Sequence, residues 1–319
     1  MAALGYIQVT RICNQRCLFC SNPENRRVLD IDEYDREVED LVATGHDGVL
    51  LTGGEPTLHP ELPEMVRRAA RAGLAARIIT NGQETARRGV LESLREAGLR
   101  HLHVSLHSHL KAVQDRIARK PGSLDRVART IRRAGTLGMV VDVNIVLCSL
   151  NLPALDRTAA WIVRSFPHVR HVVFNGLDPH TNRIADNPWI VPRLADIDLP
   201  LAGALALLDA AGLTFRVERV PLCYMGDWAH VSTETRKIVK GEQRVIHFLD
   251  EKGRYAATSF RHDKAPCCRI CTVDAICAGL YSLDKHYSSE ELYPLFVDPE
   301  AIVRRVTAER TLDTPPGSS

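Results

Sequence analysis

Apolar residues in this chain come in short runs, separated by stretches in which they return every three or four positions. The runs Tyr6–Thr10, Gly48–Thr52, Ala76–Thr80, His101–Leu106, Val140–Leu147 and His171–Asn175 read as six strands. The spacing between them predicts helices over 32–44, over a segment that has Pro60 and Pro63 at its entry and ends near Ala72, and over 85–97, 123–137 and 153–166. Acidic residues open the first of these, as the helix dipole favours. Strands alternating with helices imply parallel βαβ units, whose right-handed crossovers curve the sheet and keep the helices outside. Six units are too few to close an eightfold barrel.

The pattern weakens after residue 176. Gly176–Asp198 holds Pro179, Pro188 and Pro192 and reads as an irregular connection. Leu199–Ala211 reads as one more helix, and Thr214–Val220 and Val245–Leu249 as short strands. A boundary near residue 212 then divides the chain into a barrel core, 1–212, and a smaller cysteine-rich α+β domain, 213–319, with a frayed tail at Thr314–Ser319.

A length of 319 residues suits that division, and 45% hydrophobic with 25% charged residues is the balance of a globular protein with a sizeable core. The net charge of +2 offers no electrostatic case for a nucleic-acid polymer or an anionic membrane as partner. Arg67, Arg68, Arg71, Arg87 and Arg88 read as solvated helix faces. The longest apolar stretch, Leu199–Ala211, is too short to span a bilayer and is broken by Pro200 and Asp209. Nine cysteines without a signal peptide argue for metal ligation in a reducing, cytoplasmic setting and against disulfides.

The chemistry concentrates after the first strand. Cys13, Cys17 and Cys20 place three thiols within eight residues, and soft thiolates select zinc, Cu(I) or iron–sulfur. A four-iron cluster held wholly by protein takes four thiolates, so three leave one iron for a substrate or cofactor. A closed zinc site needs a fourth ligand, and no Cys or His follows within twenty residues of Cys20. Thr52-Gly-Gly-Glu-Pro56 ends the second strand, Thr80-Asn-Gly82 the third, and Ser105 with His107 the fourth, while Asn144 lies in the fifth. In a parallel barrel such strand ends carry the active residues.

The Cys-x3-Cys-x2-Cys spacing, with Phe19 before its third cysteine, resembles the cluster loop of the radical S-adenosylmethionine (SAM) superfamily. Gly53, Gly54, Glu55 and Pro56 match that family's GGEP motif, which contacts the SAM amine. Asn81, Ser105 and Asn144 resemble positions that line the SAM pocket, and Arg116 or Arg119 is a candidate for its carboxylate. The resemblance implies a partial (β/α)6 TIM-like barrel and a [4Fe–4S] cluster on Cys13, Cys17 and Cys20. It also implies SAM on the open iron and an external donor such as flavodoxin or ferredoxin. One electron would then split SAM into methionine and a 5′-deoxyadenosyl radical, which abstracts hydrogen from a substrate carbon.

Cys268-x2-Cys271-x5-Cys277, with Cys223 as a further ligand, resembles the auxiliary-cluster segment of SPASM and twitch domains. It implies a second [4Fe–4S] cluster, with structural zinc as the competing reading and Cys267 as a further candidate to complete its ligation. Cys148 reads as a buried apolar thiol. The expected substrate is a small polar metabolite, a nucleoside, sugar or amino-acid derivative. Maturation of a ribosomal peptide ranks second, because no recognition domain is expected ahead of Cys13. His107, His109, Asp178, His180, Asn182 and Arg183 are the candidate substrate contacts. A non-catalytic electron-transfer or zinc-binding protein is the alternative from another class, and it leaves the GGEP match unexplained.

Overall fold

The computed structural model describes residues 4–23, 25–178, 182–250 and 252–308. Nine strands form one sheet: β1 Leu4–Thr10, β2 Gly48–Gly53, β3 Ala75–Thr80, β4 His101–Ser105, β5 Val140–Val146, β6 His171–Asn175, β7 Thr214–Glu218, β8 Arg244–His247 and β9 Arg254–Ala257. Their order is β7-β6-β5-β4-β3-β2-β1-β8-β9. Every pairing is parallel except β8 with β9.

The helices are α1 Ile31–Ala43, α2 Leu62–Arg71, α3 Val90–Glu96, α4 Lys111–Ala118, α5 Ser123–Thr136, α6 Leu155–Ser165, α7 Asn182–Asp186, α8 Ala195–Ala210, α9 Thr233–Lys240 and α10 Pro299–Ala308. Asp30 caps α1, its Oδ1 accepting from the Asp32 and Glu33 amides at 3.1 and 2.8 Å. The helix buries Tyr34, Val38 and Leu41, and the Tyr34 hydroxyl donates to the Met65 carbonyl at 2.9 Å. Among the described residues no helix is long and apolar enough to cross a membrane.

Strand alternation sets the two faces of the sheet. Ile7, Val9, Leu102, Val104, Val141, Val143 and Ile145 turn toward the helices and are buried. Each stabilises the fold by about 1.5–3 kcal/mol. The opposite face carries polar residues brought together by register, with Gln8 beside Thr52, Arg77 beside His101, His103 beside Asp142 and Ser105 beside Asn144. This inner face is the floor on which a site can be built.

The six expected strands are present. The helix expected over 85–97 begins only at Val90, because Gly89 takes a left-handed φ of 88° and the residues before it form turns. Helix α4 lies where no helix was expected. The strand expected at 214–220 is β7 and pairs parallel with β6, while the one at 245–249 is β8 and pairs parallel with β1. The sheet therefore runs through residue 212 on both of its flanks. What lies outside it is the segment after β9, which carries four cysteines and α10.

Candidate functional site

The loop after β1 is held from three sides. The Gly54 amide donates to the Thr10 carbonyl at 2.6 Å and the Glu55 amide to the Ile12 carbonyl at 2.8 Å. A Cβ on Gly53 would stand 2.2 Å from the Thr10 oxygen, and one on Gly54 2.3 Å from the Ile12 oxygen, so the two glycines let the backbones meet. On the other side the Leu18 amide donates to the Ile117 carbonyl at 3.0 Å. Beneath, the Gln15 amide group donates to Ser123 Oγ at 3.1 Å.

Asn81 ties the motifs together. Its side-chain nitrogen donates to Asn14 Oδ1 at 2.9 Å and lies 3.6 Å from Cys13 Sγ. Its backbone amide donates to Glu55 Oε2 at 2.6 Å. The GGEP match counted Glu55 among the residues at the SAM amine. In the structure both carboxylate oxygens are engaged inside the protein: Oε1 accepts from the Thr57 amide at 3.2 Å, the Thr57 hydroxyl at 2.6 Å and the Thr80 hydroxyl at 2.8 Å. Burial pushes this carboxyl up, and the donors from Thr57, Asn81 and Thr80 oppose the shift. Glu55 thus joins the ends of β2 and β3, while Gly53 and Gly54 stay half-exposed beside the thiols.

The three thiols act on one another. Burial raises Cys17 strongly, the charges of Cys20 and Cys13 add to it, and Arg183 pulls it back down. Burial pushes Cys13 up to about 11. Cys13 accepts from the Gln15 amide and Cys20 from the Asn22 amide, each at 3.4 Å, and Cys17 Sγ donates to Gln15 Oε1 at 3.4 Å. Buried thiols of this kind ionise on binding a metal, and N–H donors to sulfur stabilise the thiolate. The donor set fits an iron–sulfur group.

Cys223, just after β7, and Cys267, Cys268, Cys271 and Cys277 of the C-terminal segment all pack against the main core. Burial pushes the Cys223 thiol up to about 12, with the Cys277 and Cys268 charges adding. The Gly279 amide donates to Cys277 Sγ at 3.4 Å and the Leu295 amide to Cys271 Sγ at 3.3 Å. Cys267 Sγ points to the Leu292 carbonyl at 3.4 Å.

The remaining expectations divide. Phe19 packs edge-on against the His107 ring at 5.1 Å. His107 is 4% exposed and its Nδ1 accepts from the Val146 amide at 3.2 Å, so it is a wall of the site and not an open substrate contact. Burial lowers it to about 4. His109 is drawn outward to the Thr158 hydroxyl at 3.0 Å, and Arg116 stacks on Trp189. Ser105 and Asn144 are paired in register on the inner face. Pro56 is buried and opens a 3-10 turn. Cys148 is buried, as expected. His180, the Asn182 side chain and the Thr314–Ser319 tail lie outside the described residues.

Two features had no sequence signal. Gln15 and Ser123 connect residues far apart in the chain. Arg87 and Arg88, read as solvated, line a depression of about 460 Å³ with Gln83, Arg126, Arg129 and Arg133. Arg88 and Arg129 make no ion pair among the described residues. The depression abuts the thiol loop, since Gln83 donates to Ser123 Oγ at 3.4 Å and Asn14 donates to Glu84 at 3.3 Å.

Residues 7–162 match the family model described as the radical SAM superfamily. The chain is 30% identical over 205 residues to a PqqA peptide cyclase of Methylobacterium nodulans, covering 62% of this chain and 52% of that protein. It is 34% identical over 150 residues to a GTP 3′,8-cyclase of Aquifex aeolicus, covering 44% and 46%. The chain spans about half the length of the curated relatives it matches. Among solved structures, Streptococcus suis SuiB bound to S-adenosylmethionine superposes with a TM-score of 0.66 at 14% identity, covering 88% of this chain and 73% of SuiB. That likeness establishes the α/β partial-barrel fold. The three thiols presented at the end of β1, with the Gly53-Gly54 turn and Asn81 that brace them, thus all lie within the stretch of the chain that matches the radical SAM superfamily model.

Proposed function

We propose that Cys13, Cys17 and Cys20 hold a [4Fe–4S] cluster with one iron open to SAM, and that the enzyme modifies a peptide. One observation carries the first part: the three thiols share a single loop whose backbone is bonded to the Gly53-Gly54 turn and whose Cys13 meets Asn81. The chemistry the bound group supplies is one-electron cleavage of SAM, giving a 5′-deoxyadenosyl radical that takes hydrogen from a substrate carbon.

The chain's own residues do the positioning. Gly53 and Gly54 offer backbone to the amino-acid end of SAM, and Ser105 and Asn144 offer side chains from the inner face. His107 and Phe19 close the wall with a neutral imidazole and an apolar ring. The substrate order drawn from sequence is reversed, because PqqA peptide cyclase, by its name, acts on a peptide. Cys223, Cys268, Cys271 and Cys277 would hold a second [4Fe–4S] cluster, as their thiols and N–H donors allow. The arginine-lined depression beside the thiol loop suits an acidic external donor such as flavodoxin or ferredoxin.

Anaerobically reconstituted protein with SAM and dithionite should release 5′-deoxyadenosine, and Cys17→Ala should abolish the release. Equal release from both proteins sinks the cluster assignment. Deuterium passed into 5′-deoxyadenosine from labelled nucleosides or sugars, and not from labelled peptides, overturns the substrate class.

A further inference from the structure

On the inner face of the sheet, two residues below Ser105 and Asn144, two imidazoles meet one carboxylate. His101 Nε2 lies 2.8 Å from Asp142 Oδ2, and His103 Nδ1 lies 3.4 Å from the same oxygen. One ligand atom from each residue falls within 4.8 Å of the other two. The imidazole rings stack 4.7 Å apart at 14°, with Nε2 of His101 and Nδ1 of His103 nearest the carboxylate. A zinc ion bound to nitrogen and oxygen at about 2.0–2.1 Å holds its ligand atoms about 3.3 Å apart in a tetrahedron. The spacing here needs only small side-chain adjustments to meet that figure.

Burial also suits a cation. The side chains of His101, His103 and Asp142 are 19%, 13% and 8% exposed, sheltered but reachable from the lumen. The Nε2 of His103 is buried without a hydrogen-bond partner among the described residues. A network serving stability alone would rarely leave that nitrogen unmatched. His171, in register with Asp142 and held 2.8 Å from the Thr214 hydroxyl, brings a third imidazole to the same face.

We propose that His101, His103 and Asp142 form a binding site for one divalent transition ion, of the zinc and ferrous iron class, with its remaining coordination positions open to the barrel lumen. Two imidazoles and one carboxylate favour such ions over magnesium or calcium. The site uses none of the cysteines and does not depend on the proposed peptide chemistry.

The test titrates Zn²⁺ into the anaerobic holoenzyme, whose thiol sites are filled, and measures zinc and iron per chain after gel filtration. The wild type should retain one zinc with its iron unchanged. H103Q and D142N should bind it at least tenfold more weakly with the same iron content. H101Q keeps a hydrogen-bond donor for Asp142 and serves if D142N does not fold. Zinc should also raise the thermal midpoint of the wild type and not of the variants. Equal zinc retention in wild type and variants, no retention in either, or zinc gained only as iron is lost overturns the site.

Discussion

At the scale of single residues, Glu55 shows how a residue that looks like a ligand contact can act as a brace. Four donors converge on its two oxygens, and one of them is the amide of Asn81, whose side chain meets Cys13. Glu55→Gln places an NH2 group where one of the accepting oxygens was, leaving a donor facing a donor. The expected cost is about 1–3 kcal/mol, read by urea denaturation, together with fewer irons per chain after reconstitution. Wild-type stability and iron content in this variant would show that the brace is dispensable.

His107 gives a pH dependence with a defined sign. Its folded value, about 4, lies below the ordinary 6.5, so the unfolded chain binds more protons between those values. Its contribution to stability is complete above pH 6.5 and is lost as pH falls toward 4. His103 moves in the same direction, to about 3. The urea midpoint should therefore drop between pH 6.5 and 4, and His107→Gln should flatten that slope. An unchanged slope would assign the acid lability to other groups.

At the scale of elements, α5 explains what a local reading of charge can and cannot reach. Arg126, Arg129 and Arg133 recur at helical spacing and turn one cationic stripe toward Arg87 and Arg88. Glu84 pairs with Arg87 and Glu92 with Arg133, leaving an excess of positive charge where repulsion disfavours it. Residues some forty positions apart build this depression, so neither segment announces it. The same reason hid the His101–His103–Asp142 cluster and the Gln15–Ser123 link. By contrast the three cysteines, the Gly-Gly turn and Asn81 were legible, because each motif is continuous and ends a strand that alternation had already marked. The double variant R126E/R129E should slow SAM cleavage driven by reduced flavodoxin tenfold or more and leave the dithionite-driven rate within twofold. Equal loss with both reductants would mean the stripe supports the fold and not the donor.

At the scale of the whole molecule, the sheet decides what can stand alone. A composition shift after residue 176 suggested a second domain from 213, but that shift marks loops, not a new core. β7 extends the sheet beyond β6, and β8 covers the outer edge of β1, the strand that leads into the thiol loop. Arg11, beside that loop and 5% exposed, pairs with Asp250 at 2.9 Å, and His247 of β8 reaches Asp40 of α1 at 3.1 Å. Glu218 of β7 pairs with Arg244 of β8 at 3.3 Å, joining strands from opposite flanks of the sheet. Removing residues 213–319 strips both flanks at once. It leaves the backbones of β1 and β6 unpaired on one side and Arg11 buried without its carboxylate, a set of losses larger than the few kcal/mol by which domains are stable. The 1–212 fragment should therefore aggregate or melt without a cooperative transition, even though it contains every cysteine of the N-terminal loop and the whole Gly-Gly turn. A fragment that melts cooperatively and takes up four irons would show that the barrel is a self-sufficient unit.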